Sequence, residues 1–99
     1  MKVTWSPLAD EQVDDAVAYI SDDNPTAALQ WPERLLDRAK SLATFPDSGR
    51  VVPELGRQDI REIIVSPYRV MYRRKDDRVE IAAVRHEARE FEYGSVQSF

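Results

Sequence analysis

Arginine is concentrated in the middle of this chain, between residues 50 and 75. This segment carries seven basic side chains and three acidic ones, whereas residues 1–49 carry four basic and nine acidic side chains. The basic residues of the segment are Arg50, Arg57, Arg61, Arg69, Arg73, Arg74 and Lys75. Because a guanidinium group donates two parallel hydrogen bonds to a carboxylate or a phosphate, such a segment is suited to bind an anionic partner. Charge alone favours the plainer interpretation that these are solvated arginines near a sheet surface.

The rest of the composition excludes several other chemistries. The chain has no cysteine, which excludes disulfides, thiolate metal sites and cysteine nucleophiles, and its single histidine, His86, argues against a transition-metal site. We therefore expect neither a metal nor another cofactor. The net charge of −4 argues against a protein that coats nucleic acid, since lysine and arginine drive that kind of binding.

Length and hydropathy indicate one small domain. With 99 residues, of which 42% are hydrophobic, the chain has enough apolar surface for one core but not for two. We place the domain at residues 1–93 and a C-terminal tail at residues 94–99. No apolar run reaches the roughly 20 residues needed to cross a bilayer, and the N-terminus lacks the apolar stretch of a signal peptide, so we expect a cytoplasmic protein without membrane contact.

Two amphipathic helices are predicted in the first half of the chain. Ser6 and Asn24 each stand directly before a proline, and a capping side chain followed by proline is the usual start of a helix. Apolar residues then recur at helical spacing over residues 7–21 and again over residues 25–45. Pro32 lies inside the second helix and removes one backbone hydrogen bond, so we expect a kink or break just before it.

The second half of the chain has the pattern of strands. Residues 60–65, 68–73 and 79–84 are rich in β-branched and aromatic residues, and short turn segments separate them, which predicts a three-stranded antiparallel meander. Another strand is predicted at residues 2–5, and residues 50–59 are predicted to form an irregular loop. The expected fold is therefore α+β with the order β-α-α-β-β-β, a helical hairpin packed on a small antiparallel sheet.

Alternation along the middle strand of the meander predicts which side chains face the helices. Successive residues of a strand point to opposite faces of the sheet. The side chains that point toward the helices would then be Tyr68, Val70 and Tyr72. Those that point away from the helices would be Arg69, Met71 and Arg73. We therefore expect an open sheet face that carries the arginines.

Several short motifs occur in the order found in one known family. They are Leu42-Ala43-Thr44-Phe45-Pro46, Gly49-Arg50, Ile60-Arg61-Glu62, Tyr68-Arg69-Val70-Met71-Tyr72 and Val79-Glu80-Ile81, followed by Val84, His86 and Arg89. Together they resemble the RelE/ParE toxins of type II toxin–antitoxin systems, and the ParE-like branch in particular. The resemblance covers residues 1 to about 93 and implies the small α+β fold shared by those toxins.

The resemblance also implies a protein partner. Toxins of this kind are silenced by a cognate antitoxin protein, with which they form a hetero-oligomer. An arginine-bearing sheet face with open strand edges would suit an antitoxin segment that carries acidic and apolar side chains. We therefore assign antitoxin or target binding to Arg50, Arg61, Arg69 and Arg73.

Two modes of action follow from the resemblance. ParE-like toxins inhibit DNA gyrase without acting as enzymes, whereas RelE-like toxins are metal-independent endoribonucleases that cut messenger RNA on the ribosome. Cleavage of RNA through its own 2′-hydroxyl requires a base, an acid and positive charge on the phosphate. If this chain is such a ribonuclease, the resemblance implies Arg69, His86, Arg89 and Tyr93 as its catalytic residues.

Two features favour gyrase inhibition. No lysine occurs between Lys40 and Lys75, where RelE-like enzymes carry a lysine pair, and arginine is a poor proton acceptor. The negative net charge also disfavours entry into the phosphate-lined ribosomal A site. We predict a growth-inhibiting ParE-like toxin, with the ribosome-dependent ribonuclease as the alternative. Pro32 leaves open a third possibility, a decayed toxin that binds its antitoxin and harms nothing.

Overall fold

The computed structural model describes residues 1–88, and residues 89–99 lie outside that description. Two helices and five strands follow one another within residues 1–88. They are β1 (Lys2–Trp5), α1 (Pro7–Asp23), α2 (Pro25–Thr44), β2 (Arg50–Val51), β3 (Ile60–Val65), β4 (Tyr68–Arg74) and β5 (Arg78–His86). Within residues 1–88, neither helix combines the length and the apolarity that a bilayer crossing requires.

Both helices begin at the predicted caps. The Ser6 hydroxyl accepts a hydrogen bond from the backbone N–H of Ala9 at 3.0 Å, and the Asn24 side chain accepts one from the N–H of Ala27 at 3.1 Å. Asn24 also ends α1, since its own N–H donates to the carbonyl of Ile20 at 2.8 Å. One polar residue therefore terminates the first helix and starts the second, which keeps the hairpin turn short.

The break predicted near Pro32 does not occur, because α2 is a continuous helix from Pro25 to Thr44. Packing on the preceding and following turns explains the difference. Trp31 is 1% exposed and Leu35 is 2% exposed, and the Trp31 indole N–H donates to the carbonyl of Val65 at 3.0 Å. Burial of two large side chains beside the proline offsets the loss of one backbone hydrogen bond.

The sheet has the strand order β1-β5-β4-β3-β2. The predicted meander is confirmed, because β3 pairs antiparallel with β4 and β4 pairs antiparallel with β5. Two features add to the prediction. The N-terminal strand β1 pairs parallel with β5, so the sheet is mixed, and the short strand β2 lies within the segment expected to be irregular.

The helical side of the sheet contains the main core, as alternation along β4 predicted. Tyr68, Val70 and Tyr72 pack there beneath the buried stripes of both helices. The opposite face is not open over its whole area, which corrects the prediction. Met71 is fully buried because Val52 and Leu55, from the segment between β2 and β3, fold across it.

Gly49 joins the end of α2 to the sheet at a point where no side chain fits. Its N–H donates to the Tyr72 hydroxyl at 3.0 Å, and burial raises the pKa of that phenol. A Cβ at position 49 would lie 2.6 Å from the Glu62 carbonyl oxygen and 2.7 Å from the Tyr72 hydroxyl. Both contacts are shorter than real Cβ atoms tolerate, so the segment that leads into β2 requires glycine here.

We expect Gly49→Ala to lower the free energy of unfolding by about 2 kcal/mol or more, because the added methyl group forces backbone apart in a packed region. Urea denaturation followed by tryptophan fluorescence measures the change. Tyr72→Phe is the matched control, since it removes only one hydrogen bond and should cost about 1 kcal/mol. A Gly49→Ala protein as stable as the unaltered chain would contradict this account.

Candidate functional site: an arginine face neutralised by carboxylates

The strand register separates the four arginines assigned to binding. Cross-strand partners share a face of the sheet, and Arg69 is the partner of Ile64 while Arg73 is the partner of Ile60. Arg50 lies opposite Glu62, whose partner on β4 is Met71. Arg50, Arg69 and Arg73 therefore lie on the side of the sheet away from the helices, and we call that side the arginine face.

Arg61 lies on the other side, which corrects the grouping made from charge. Its cross-strand partner is Tyr72, a residue of the core beneath the helices. The Arg61 side chain donates to the Gly49 carbonyl at 3.0 Å and to the Gln58 side chain at 3.2 Å, and it is 20% exposed. These contacts hold together the two ends of the segment between α2 and β3.

Glu62 is the buried anion of the arginine face. Its side chain is 0% exposed, and its two oxygens are bound by different arginines. The Arg50 Nε donates to Oε2 at 2.6 Å and the Arg69 Nε donates to Oε1 at 2.6 Å. A carboxylate removed from water needs such charged donors, since an unpaired buried charge costs several kcal/mol.

Arg69 is bound on all of its side-chain nitrogens. Besides the Nε bond to Glu62, its Nη1 and Nη2 donate to the two oxygens of Glu54, each at 2.8 Å, and its side chain is 11% exposed. The Arg69 guanidinium holds the pKa of the Glu54 carboxyl below its ordinary value, and the hydrogen bonds to Glu54 and then Glu62 raise the pKa of Arg69. Arg69 is thus a fixed cation between two carboxylates.

The remaining arginines of the face differ in exposure. The Arg50 side chain is 59% exposed although its Nε is bound to Glu62, and the Arg73 side chain is 35% exposed with Asp59 at 3.5 Å. The three carboxylates of residues 50–75 therefore all lie against its arginines. The bare basic surface expected from the sequence is largely neutralised, and among the arginines assigned to binding on this face the accessible positive charge is that of Arg50 and, in part, Arg73.

The ribonuclease candidates do not converge. His86 is the cross-strand partner of Tyr68, so it lies on the helical side, opposite to the face that carries Arg69. Its ring contacts Tyr68 at a centroid distance of 5.2 Å and Tyr19 at 5.6 Å, and its Nδ1 accepts the N–H of Ala88 at 3.0 Å. His86 and Arg69 therefore cannot act on one phosphate from these positions. Arg89 and Tyr93 lie outside the described residues.

The carboxylates were the part of the site that sequence reasoning missed. The available signal for Glu62 was a carboxylate in the middle of a mostly apolar strand, because such a residue is buried only when it is paired. Glu54 gave no comparable signal, since it lies between Pro53 and Leu55 in a segment without periodicity.

Replacing Glu62 by glutamine should lower the free energy of unfolding by about 3 kcal/mol, because Arg69 then loses one of its two counter-charges in a buried setting. Equilibrium urea titration gives this value directly. Glu80→Gln is the control, since Glu80 is 30% exposed and pairs with Lys75 at 3.4 Å, and it should cost less than about 1 kcal/mol. Equal effects of the two substitutions would refute a special role for Glu62.

Comparison with known proteins agrees with this architecture. The family model described as the ParE toxin of the type II toxin–antitoxin system parDE matches residues 3–91. A protein of Caulobacter vibrioides named Toxin RelE2 is 39% identical over 88 residues, which cover 87% of this chain and 92% of that protein. A structure titled "Chromosomal ParDE TA system from P. aeruginosa" contains a chain that superposes with a TM-score of 0.70 at 19% identity, over 87% of this chain and 95% of that chain.

The fold class predicted from the sequence is thereby confirmed, with two helices packed on one side of a small sheet. The solved structure bears on the fold alone at its level of identity, whereas the family match and the relative extend over most of the chain. A type II toxin of this family is paired with an antitoxin. The chain belongs to the ParE toxin family of type II toxin–antitoxin systems.

Proposed function

We propose that this toxin stops growth by inhibiting DNA gyrase and that it does not cut RNA. The names of its relatives do not decide between gyrase inhibition and RNA cleavage, because the matching family model is named for ParE and one relative is named RelE2. The hydrogen bonds that Arg69 already makes favour gyrase inhibition over RNA cleavage. This arginine corresponds to the phosphate-stabilising position that the resemblance to RelE-like toxins implies, and its guanidinium is already occupied by Glu62 and Glu54.

A scissile phosphate that approached the two terminal nitrogens of Arg69 would compete with Glu54, to which both already donate. The phosphate would exchange one pair of charge-assisted hydrogen bonds for another, and it would leave the Glu54 carboxylate close to a second anion. Stabilisation of a transition state depends on donors that are aimed at the reacting group before it arrives. A guanidinium that already binds two carboxylates does not meet that condition.

Proton transfer is the second difficulty for a ribonuclease. The base and the acid of such a reaction must lie within hydrogen-bond reach of the same phosphodiester. His86 lies across the sheet from Arg69, and no lysine occurs between Lys40 and Lys75. Arg50 and Arg73 reach solvent on the arginine face, but a guanidinium group is a poor proton acceptor and does not supply the base.

For the antitoxin we propose a binding site on the arginine face. Arg50 and Arg73 are cations of this face that reach solvent, and both border the segment that covers Met71. An antitoxin segment with acidic side chains would pair with them at the rim of an interface, where charge mainly sets the association rate and the salt dependence. Arg69 contributes from behind this surface by fixing Glu54 and Glu62, and Arg61 contributes to the fold of the neighbouring segment.

Purified toxin should block negative supercoiling by gyrase, and its antitoxin should restore supercoiling, while ribosome-bound messenger RNA stays intact at the same toxin concentration. A plasmid supercoiling assay and a primer-extension assay on translating ribosomes measure the two activities side by side. Cleavage of the RNA with normal supercoiling would reverse the proposal. Normal growth during expression without antitoxin, at full protein level, would identify a decayed toxin and also refute it.

The antitoxin site is tested by charge reversal. Arg73→Glu, which leaves the Arg50–Glu62 pair intact, should weaken antitoxin binding about fivefold at low salt, and much less at high salt, because the lost contacts are exposed ion pairs. Calorimetry at two salt concentrations measures the change. Lys40→Glu alters the net charge equally at an exposed position of α2, on the other side of the sheet, and should leave the affinity within about twofold. Equal weakening by both substitutions would show that total charge, rather than this face, determines binding.

A further inference from the structure

Helix α2 carries large apolar residues that are exposed and do not belong to the core. The core-facing stripe of α2 consists of Ala28, Trp31, Leu35, Ala39 and Leu42. Leu29 and Leu36 lie away from that stripe and are 77% and 51% exposed. With Pro32 between them they follow the spacing i, i+3, i+7, which places them along one side of the helix. We call these three residues the outer stripe.

The outer stripe lies on the flank of α2 away from β3, because Arg34 and Arg38 on the opposite flank donate to the carbonyls of Ser66 and Ile64. Helix α1, which packs on β5, lies on that side of α2. Helical geometry places Val13 and Val17 on the flank of α1 nearest to α2, and both are partly buried against the main core. The two helices contact each other along the hairpin. Together these positions form an apolar strip between the helices, on the side of the molecule opposite to the arginine face.

The surroundings of this strip are strongly acidic. Helix α1 contains six acidic side chains and no basic one, and residues 7–44 contain eight acidic and three basic side chains, a net charge of −5 that exceeds the −4 of the whole chain. Two of the three basic residues, Arg34 and Arg38, donate to the carbonyls of Ser66 and Ile64 at 3.0 Å each. Their charge lies at the edge of β3, away from the outer stripe.

We propose that the outer stripe, with its acidic surroundings, binds a basic amphipathic helix of a partner protein. An apolar strip on a soluble protein is covered when a partner supplies matching apolar side chains. Leu29 and Leu36 are separated by seven residues, about 10.5 Å along the axis, which is the repeat that a second helix with apolar residues in heptads can follow. Lysine or arginine beside that apolar repeat would complement the carboxylates of α1, such as Asp10 and Asp14.

Charge distinguishes this partner from other occupants. Nucleic acid and anionic lipid would meet six carboxylates on α1 without a cation to oppose them, and a second copy of this chain would bring six more. A basic helix alone gains from both the apolar strip and the charge. Since the arginine face lies on the opposite side of the sheet, the toxin can hold this helix and an acidic antitoxin segment at the same time.

The test uses the full chain and two designed peptides of about 18 residues with the same leucine repeat, one flanked by lysine and the other by glutamate. In fluorescence anisotropy at low salt, the lysine peptide should bind at least about tenfold more tightly than the glutamate peptide. Leu29→Ser combined with Leu36→Ser should weaken the lysine peptide about fivefold or more, whereas Phe45→Ser, at a residue 63% exposed beyond the end of α2, should leave it unchanged.

The contribution of the α1 carboxylates to binding is tested with two matched double variants. Asp10→Asn combined with Asp14→Asn should weaken the lysine peptide and flatten its salt dependence, whereas Asp76→Asn with Asp77→Asn, in the turn between β4 and β5, should change neither. Equal weakening by both pairs, or unchanged binding to the leucine variant, would overturn the proposal. A dimer of the unaltered chain in sedimentation that the leucine variant abolishes would assign the stripe to a second copy instead. Because none of these readouts involves gyrase, their failure is distinct from failure of the proposed function.

Discussion

The arginine face depends on one buried carboxylate. Glu62 is removed from water in the middle of β3, and the charged donors of Arg50 and Arg69 at 2.6 Å make that position tolerable. Once the Arg69 Nε is directed at Glu62, the fork of its two terminal nitrogens points at Glu54. Glu54 lies in the segment that buries Met71, so this chain of ion pairs fastens a loop across the sheet and closes the second small core.

This arrangement gives the two sides of the molecule different electrostatic characters. On the sheet side, arginines and carboxylates alternate at contact distance, so little net charge is presented and recognition depends on where the exposed guanidinium groups stand. On the helical side, α1 carries six carboxylates and no basic residue, so the surface of this helix is acidic. A small acidic protein can therefore carry a basic segment without behaving as a general binder of nucleic acid.

Features that depend on contacts between residues close in sequence were predicted correctly, whereas features that depend on contacts between distant residues were not. Helix starts were predicted correctly because Ser6 and Asn24 act on N–H groups three residues away. The face of the sheet on which Arg61 and His86 lie was not predictable, since it depends on register with another strand. An irregularity at Met71 and Tyr72 shifts the register between β4 and β5. The segment after Gly49 was assigned to a loop because Pro53 and Gly56 hide the strand pattern, and its cover over Met71 is a tertiary contact.

The parallel pairing of β1 with β5 has a consequence for how this chain acquires its shape during synthesis. Thr4 pairs with Glu80, so the first strand made must wait for the last strand before it has a neighbour. Contacts between such distant parts of a chain form late and slowly, because a long loop must first be closed. A nascent or truncated product that stops before β5 thus lacks a finished sheet, and the folded form exists only after β5 has been synthesised.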